Sequence, residues 1–155
     1  MAMDTDDLLG FVTPVNPTAA RFLQFREDGI ESTFQFTDVG EPGLFNSIGD
    51  GGTYTSNLFD TNGALVGTKD VSFTFTQQLG NQQFLAVVQE NINLTGGTIE
   101  TQGTINATLA EQLIPQNIPI VGGTGIYNGA SGLETVRQLE LGVLDVFDIS
   151  LVIVT

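Results

Sequence analysis

The chain of 155 residues has the length of one domain with room for a real core, and 41% hydrophobic against 14% charged residues is a globular composition. Eighteen carboxylates face four bases, Arg21, Arg26, Lys69 and Arg137; the formal charge of −14 repels phosphate backbones and anionic lipid, so neither nucleic acid nor a membrane surface is expected as a partner. Cysteine and histidine are absent, which removes disulfides, thiolate nucleophiles, Cys/His zinc sites and any Ser-His-Asp triad.

Residues 1–18 read as a loosely ordered tether ahead of a single domain over 19–155. They carry no basic-then-apolar leader pattern, so the expected location is cytoplasmic, or secreted with a leader already removed. The acidic start "MDTDDLLG" and the loop "IGDGGTYTSNLFDTNG" supply oxygen ligands without the order of an EF-hand, so no metal is expected. The stretch "NPTAARFLQF" (16–25) has the composition of a short helix. After it, almost everything is strand-like. "STFQF" (32–36) alternates, and so does "VSFTFTQQ" (71–78), with Val71, Phe73 and Phe75 on one face and Ser72, Thr74 and Thr76 on the other. "QFLAVVQENINL" (83–94) is more continuously apolar, "GTIETQGTINATL" (97–109) alternates again, and "LETVRQLEL" (133–141) and "VFDISLVIVT" (146–155) complete the set. A second short helix fits "TLAEQL" (108–113). Asn62-Gly63, Leu79-Gly80-Asn81 and Gly96-Gly97 punctuate the strands, and Asn-Gly suits a tight type I′ hairpin turn. The pattern predicts an all-β domain, an antiparallel meander that closes as a small eight-stranded barrel or packs as a sandwich. Closure is favoured because it removes exposed edges from a chain with few edge-protecting lysines.

The glycine-rich stretch "PIVGGTGIYNGASGLETVRQL" (119–139) raises the question of a phosphate cradle. Such a loop needs a helix directly after it, whose aligned N–H groups hold the anion. Here no lysine follows the glycines, the spacing is not G-x-G-x-x-G after a strand, and the chain is acidic. The glycines are expected to turn a corner at strand ends.

The same stretch resembles the Gly-Gly-Ser/Thr-Gly block of the allene oxide cyclase and dirigent barrels. "IGDGGTYTSNLFDTNGALVG" is similar to the cyclase pattern of Gly-Asp followed by Thr-Asn-x-Leu-Tyr-Asp, and "GTIETQG" (97–103) to its Gly-x-Ile-x-x-Gln-Gly. Order and spacing agree over residues 33–155. The resemblance implies an eight-stranded antiparallel barrel, a homo-oligomer (dimer or trimer) and a small hydrophobic ligand. It implies cofactor-free ring closure, either of an epoxide or, as in bacterial spirotetronate cyclases, an intramolecular [4+2] reaction. A non-catalytic dirigent-like or carrier barrel is the alternative. Of the plant cyclase residues only Asn57 is matched. The Glu-x-Asn of the first strand falls near Thr37 and Val39, and the cysteine aligns with Phe73, so the plant reaction itself is not expected.

A cyclase of this kind needs a cavity of a few hundred cubic ångströms running through the barrel. Phe73 and Phe75 share the apolar face of one strand, Thr55 and Asn57 share a parity on theirs, and Val88 lies on the apolar face of a third; these five are the expected ligand-binding residues. Glu90 shares parity with Val88, so it is either a pocket acid or a rim residue in water or paired with Arg137. Arg137 is in turn a candidate donor to a substrate carbonyl or a structural ion-pair partner. Glu90 and Arg137 are the candidate catalytic residues. Phe22, Phe25, Phe34 and Phe36 are expected in the core.

Overall fold

The computed structural model describes residues 20–39, 47–143 and 145–155; the tether expected over 1–18 lies outside the described residues. The strands are β1 (Ala20–Asp28), β2 (Gln35–Thr37), β3 (Gly51–Phe59), β4 (Leu65–Gln78), β5 (Phe84–Leu94), β6 (Gly97–Asn106), β7 (Gln116–Gly123), β8 (Ser131–Gln138) and β9 (Phe147–Val154). Two single-turn helices, α1 (Ile30–Thr33) and α2 (Ala107–Ala110), follow β1 and β6. The sheet order is β1-β9-β8-β7-β6-β5-β4-β3-β2, every pairing is antiparallel, and β1 also pairs with β3. That last pairing closes the sheet into a barrel of eight strands, with the three-residue β2 laid on the free part of the β3 edge. Among the described residues no helix is long and apolar enough to cross a membrane.

Side-chain parity sets the inside and outside of the tube. On β4, Lys69, Val71, Phe73 and Phe75 share the inward phase while Asp70, Ser72 and Thr74 face out. Two local expectations change. Residues 20–25 are strand, not helix: β1 pairs along eight residues of β9 and three of β3, so the ladder overrides a composition that suits either state. "STFQF" is not one strand either. Gly29, at φ 84, turns the chain into α1, and only then does β2 begin. Thr33 stands in for the missing ladder, its Oγ1 accepting from the Thr55 N–H at 2.8 Å and donating to the Thr55 carbonyl at 2.6 Å. Nor is Asn62-Gly63 a two-residue turn. The connection runs from Asp60 to Ala64, and Asp60 Oδ1 accepts from the N–H groups of Asn62 and Ala64, each at 2.9 Å.

The glycine stretch turns a corner as expected: β7 ends at Gly123, a 3₁₀ turn spans Gly125–Tyr127, and β8 starts at Ser131. Gly125 sits at φ +61, and a Cβ there would lie 2.2 Å from the Gly96 carbonyl oxygen. No other residue fits that approach.

The barrel is packed at one end. Leu58, Ile92, Ile99, Ile149, Leu151 and Ile153 are completely buried there, each contributing about 1.5–3 kcal/mol. Phe25 belongs to this cluster as expected. Phe22 does not; it stands on the outer face, paired across the ladder with Val152.

Candidate functional site

The other half of the barrel is hollow. A cavity of about 560 Å³ opens at the end where α1, α2 and the start of β9 meet. Its wall is apolar: Val71, Phe73 and Phe75 from β4, Ala86 and Val88 from β5, Ile118 from β7 and Val136 from β8. Ile30, Glu31, Phe34, Phe36, Ala110, Glu111 and Phe147 surround the mouth. Phe34 and Phe36 are thus part of the cavity lining rather than the core. Aromatic rings line one side in sequence. Phe34 stacks on Tyr54 and Phe73 at 6.5 and 6.0 Å, and Phe73 meets Phe75 edge-on at 5.6 Å. The cavity does not run through the barrel, because the packed end stops it.

The floor between the hollow and packed halves is charged. Lys69 is buried, and its Nζ reaches Glu27 Oε2 on β1 at 3.2 Å, Glu134 Oε1 on β8 at 3.1 Å, and Glu90 Oε2 on the neighbouring strand β5. Four strands therefore converge on one ammonium. Ser56 donates to Glu27 at 2.7 Å and Thr101 to Glu90 at 3.2 Å. Glu134 is fully buried, held at Oε1 by its ion pair with Lys69. Tyr54 points into the cavity above this layer.

These groups set one another's protonation. Burial raises the Glu90 carboxyl well above the usual range, the charge of Glu134 adds to it, and Lys69 offsets only part. A hydrogen bond between Glu90 and Glu134 pushes the same way, and it exists only while one of the two carries a proton. For Lys69, burial alone would lower the ammonium, but Glu134, Glu27 and Glu90 together outweigh it and hold it well above its ordinary value. Burial and then the charge of Glu27 raise the Tyr54 phenol, keeping it a neutral hydrogen-bond donor.

Of the expected site residues, Phe73, Phe75, Val88 and Glu90 lie on the cavity lining. Thr55 and Asn57 do not. They occupy the outer face of β3, where Thr55 donates to Asp70 at 2.7 Å, because Tyr54, Ser56 and Leu58 take the inward phase. Arg137 is also outside, half exposed and 3.8 Å from Asp148, so it cannot meet Glu90. Glu90 is not at the rim; it is paired with Lys69 in the floor. Sequence reasoning passed over Lys69, Glu27, Glu134 and Tyr54. The signal for Lys69 was present: it is the chain's single lysine and shares parity with Val71, Phe73 and Phe75.

Residues 31–151 match the family model described as the allene oxide cyclase barrel-like domain. Among solved structures, a pyocyanin demethylase is 24% identical with a TM-score of 0.67, over 87% of this chain and 99% of that one. A nonspecific heme-binding cyclase that catalyses [4+2] cycloaddition in neoabyssomicin biosynthesis is 17% identical with a TM-score of 0.76, over 99% of this chain and 80% of that one. The pterocarpan synthase dirigent protein PsPTS1 is 18% identical with a TM-score of 0.66, over 87% and 93%. No curated protein matches the chain.

Proposed function

The chain belongs to the allene oxide cyclase-like barrel family, and on that premise we propose that it is a cofactor-independent cyclase that folds a linear, unsaturated, hydrophobic substrate inside its cavity for ring closure. The observation that carries the reading is an apolar cavity of about 560 Å³ whose few polar groups include the Tyr54 phenol and, in its floor, the buried Glu90 and Lys69. That volume is in the range of small-molecule sites. An intramolecular [4+2] closure turns three π bonds into one π and two σ bonds, with no atom gained or lost. What it asks of a protein is a compact, near-attack fold of the substrate and a donor on the activating carbonyl. The aromatic wall from Phe34 to Phe75 suits a flat polyene, and the neutral Tyr54 phenol supplies the donor. Lys69 serves as a positioning residue that holds the carboxyls.

The charged floor supports an active role. Desolvating an ammonium and three carboxyls costs several kcal/mol per ion, and an apolar layer of the same volume would hold the barrel together at least as well. The fold alone does not select the chemistry, since similar barrels carry the names of a demethylase, a cyclase and a dirigent protein. The alternative is a carrier that binds the same class of ligand and releases it unchanged. It is favoured if the Lys69 cluster, whose ion pairs point at one another, is only a structural plug.

Incubation of the purified protein with linear dienes bearing a tethered enone, followed by chromatography and mass spectrometry, tests this reading. The expected result is an isobaric product with the conjugated absorbance lost, formed with nothing added. Saturable binding with unchanged substrate would assign the carrier role instead.

A further inference from the structure

The charge balance inside the cavity restricts its ligand more narrowly than its shape does. Glu27 and Glu90 line the floor and Glu31 and Glu111 the mouth, with Glu134 just behind Lys69. Lys69 is the only base among them. An ammonium has three protons to donate, and three glutamates already converge on this one. A ligand's carboxylate or phosphate would have to displace one of these glutamates to reach it. The other three bases lie elsewhere: Arg21 over the Tyr127 ring, Arg26 over the Phe59 ring, and Arg137 beside Asp148. In the floor, three carboxyls against one ammonium leave two negative charges, or one while Glu90 keeps its proton. Above that floor, the faces of Phe34, Phe73 and Tyr54 offer electron-rich rings to a delocalised cation.

Resting on the reading of the cavity as a substrate site, we propose that it selects a flat unsaturated or aromatic molecule that is neutral or carries a basic or cationic nitrogen, and turns away carboxylates and phosphates. An anion entering would lose its hydration against surplus carboxyls with no free cation to receive it. A protonated nitrogen meets the opposite: carboxyl acceptors below and at the mouth, and aromatic faces beside it.

Three tricyclic probes of matched size separate the outcomes: 9-aminoacridine as the cation, 9-anthracenemethanol as the neutral and 9-anthracenecarboxylate as the anion. Each is titrated by fluorescence at about 0.15 M salt, which screens the acidic exterior beyond roughly 8 Å. Each titration is repeated on Ala86→Phe, which fills the cavity, and on the Glu31→Gln/Glu111→Gln double variant. The expected result is one-to-one binding of the cation and the neutral probe, lost in Ala86→Phe, with the anion at least tenfold weaker. The ratio of cation to anion affinity should fall several-fold in the double variant. An anion that binds as tightly as the cation overturns the inference and leaves the cyclase reading standing. A cation held equally well by Ala86→Phe is bound to the surface, which also overturns it. If none of the probes binds in a way that Ala86→Phe abolishes, the cavity is not a ligand site, and the cyclase reading falls with the inference.

Discussion

Lys69 on β4 and Glu134 on β8 belong to strands that stand opposite one another in the ring of eight, yet Nζ and Oε1 meet at 3.1 Å. One long side chain thus spans the tube and divides it into a hollow half and a packed half. Replacing it tests how much depends on that link. Lys69→Met keeps the volume but leaves Glu27, Glu90 and Glu134 facing one another without a cation. Breaking a buried pair of this type costs about 3–5 kcal/mol, or on the order of 10 °C in Tm for a domain of this size. Adding Glu90→Gln and Glu134→Gln to Lys69→Met should recover a substantial part of the loss. Calorimetry of the single and triple variants checks both statements.

The raised Glu90 carboxyl gives stability a pH dependence of predictable sign. Its folded value lies above an unfolded value of about 4.3, so between the two the folded state holds a proton that the unfolded state releases. Stability from this group is fully present below the unfolded value and is lost as pH rises through the folded one. The raised Lys69 contributes in another window, present below about 10.4 and lost only at higher pH. Tm should therefore fall as pH increases from mildly acidic values. Glu90→Gln should flatten that slope relative to wild type, and the difference between the two profiles removes the common background of the acidic surface. A Glu90→Gln profile parallel to wild type would show that the proton resides elsewhere.

The architecture was legible because it rests on period and punctuation. The alternation in β4 and the glycine-marked ends of β7 and β8 each announce a strand or a corner from local residues. The site was only half legible. Parity places Phe73, Phe75 and Lys69 on one face, but it does not reveal that Glu27, Glu90 and Glu134, distant in sequence, meet there. On β3 both phases mix polar and apolar side chains, so composition leaves the inward face open, and the Asn57 motif match pointed to the wrong one. β1 shows the same limit: its composition suits a helix or a strand, and the choice is made by its ladders to β9 and β3.

Ala86 offers a test of whether the cavity is truly vacant. Its side chain is buried in the core cluster and borders the cavity. Overpacking a full core costs about 1–3 kcal/mol; a phenylalanine entering a void avoids most of that penalty. Ala86→Phe should melt within a few degrees of wild type while ligand affinity and turnover fall at least tenfold. A severe loss of stability would mean that no space is available there.

Gly132 fixes the start of β8. It holds φ +127, and a Cβ would lie 2.0 Å from the Val152 carbonyl oxygen on β9. The contact is with backbone, so no rotamer change relieves it. Backbone strain in this region costs about 1–3 kcal/mol for a non-glycine residue, and displacement of the β8–β9 ladder adds to it. Gly132→Ala should lower Tm clearly, whereas Gly63→Ala, where φ is +82 but nothing lies within 4 Å, should cost only the conformational part. Equal effects at the two positions would refute the close-approach explanation.

The outer face of the barrel supplies the complementary test. Thr55, Asn57 and Arg137 stand outside the wall, and the Arg137 side chain is 50% exposed beside Asp148. Exposed pairs of this type contribute about 0–1 kcal/mol, and a lost Thr55 hydrogen bond to Asp70 is of similar size. Thr55→Val, Asn57→Ala and Arg137→Gln should each leave ligand affinity and turnover within about twofold of wild type. Tyr54→Phe, which removes a phenol from the cavity itself, should lower turnover more than affinity, because a donor to a developing charge acts mainly in the transition state. If Arg137→Gln abolished turnover while Tyr54→Phe did not, the chemistry would have to lie outside the barrel, and the division of labour between its two faces would be reversed.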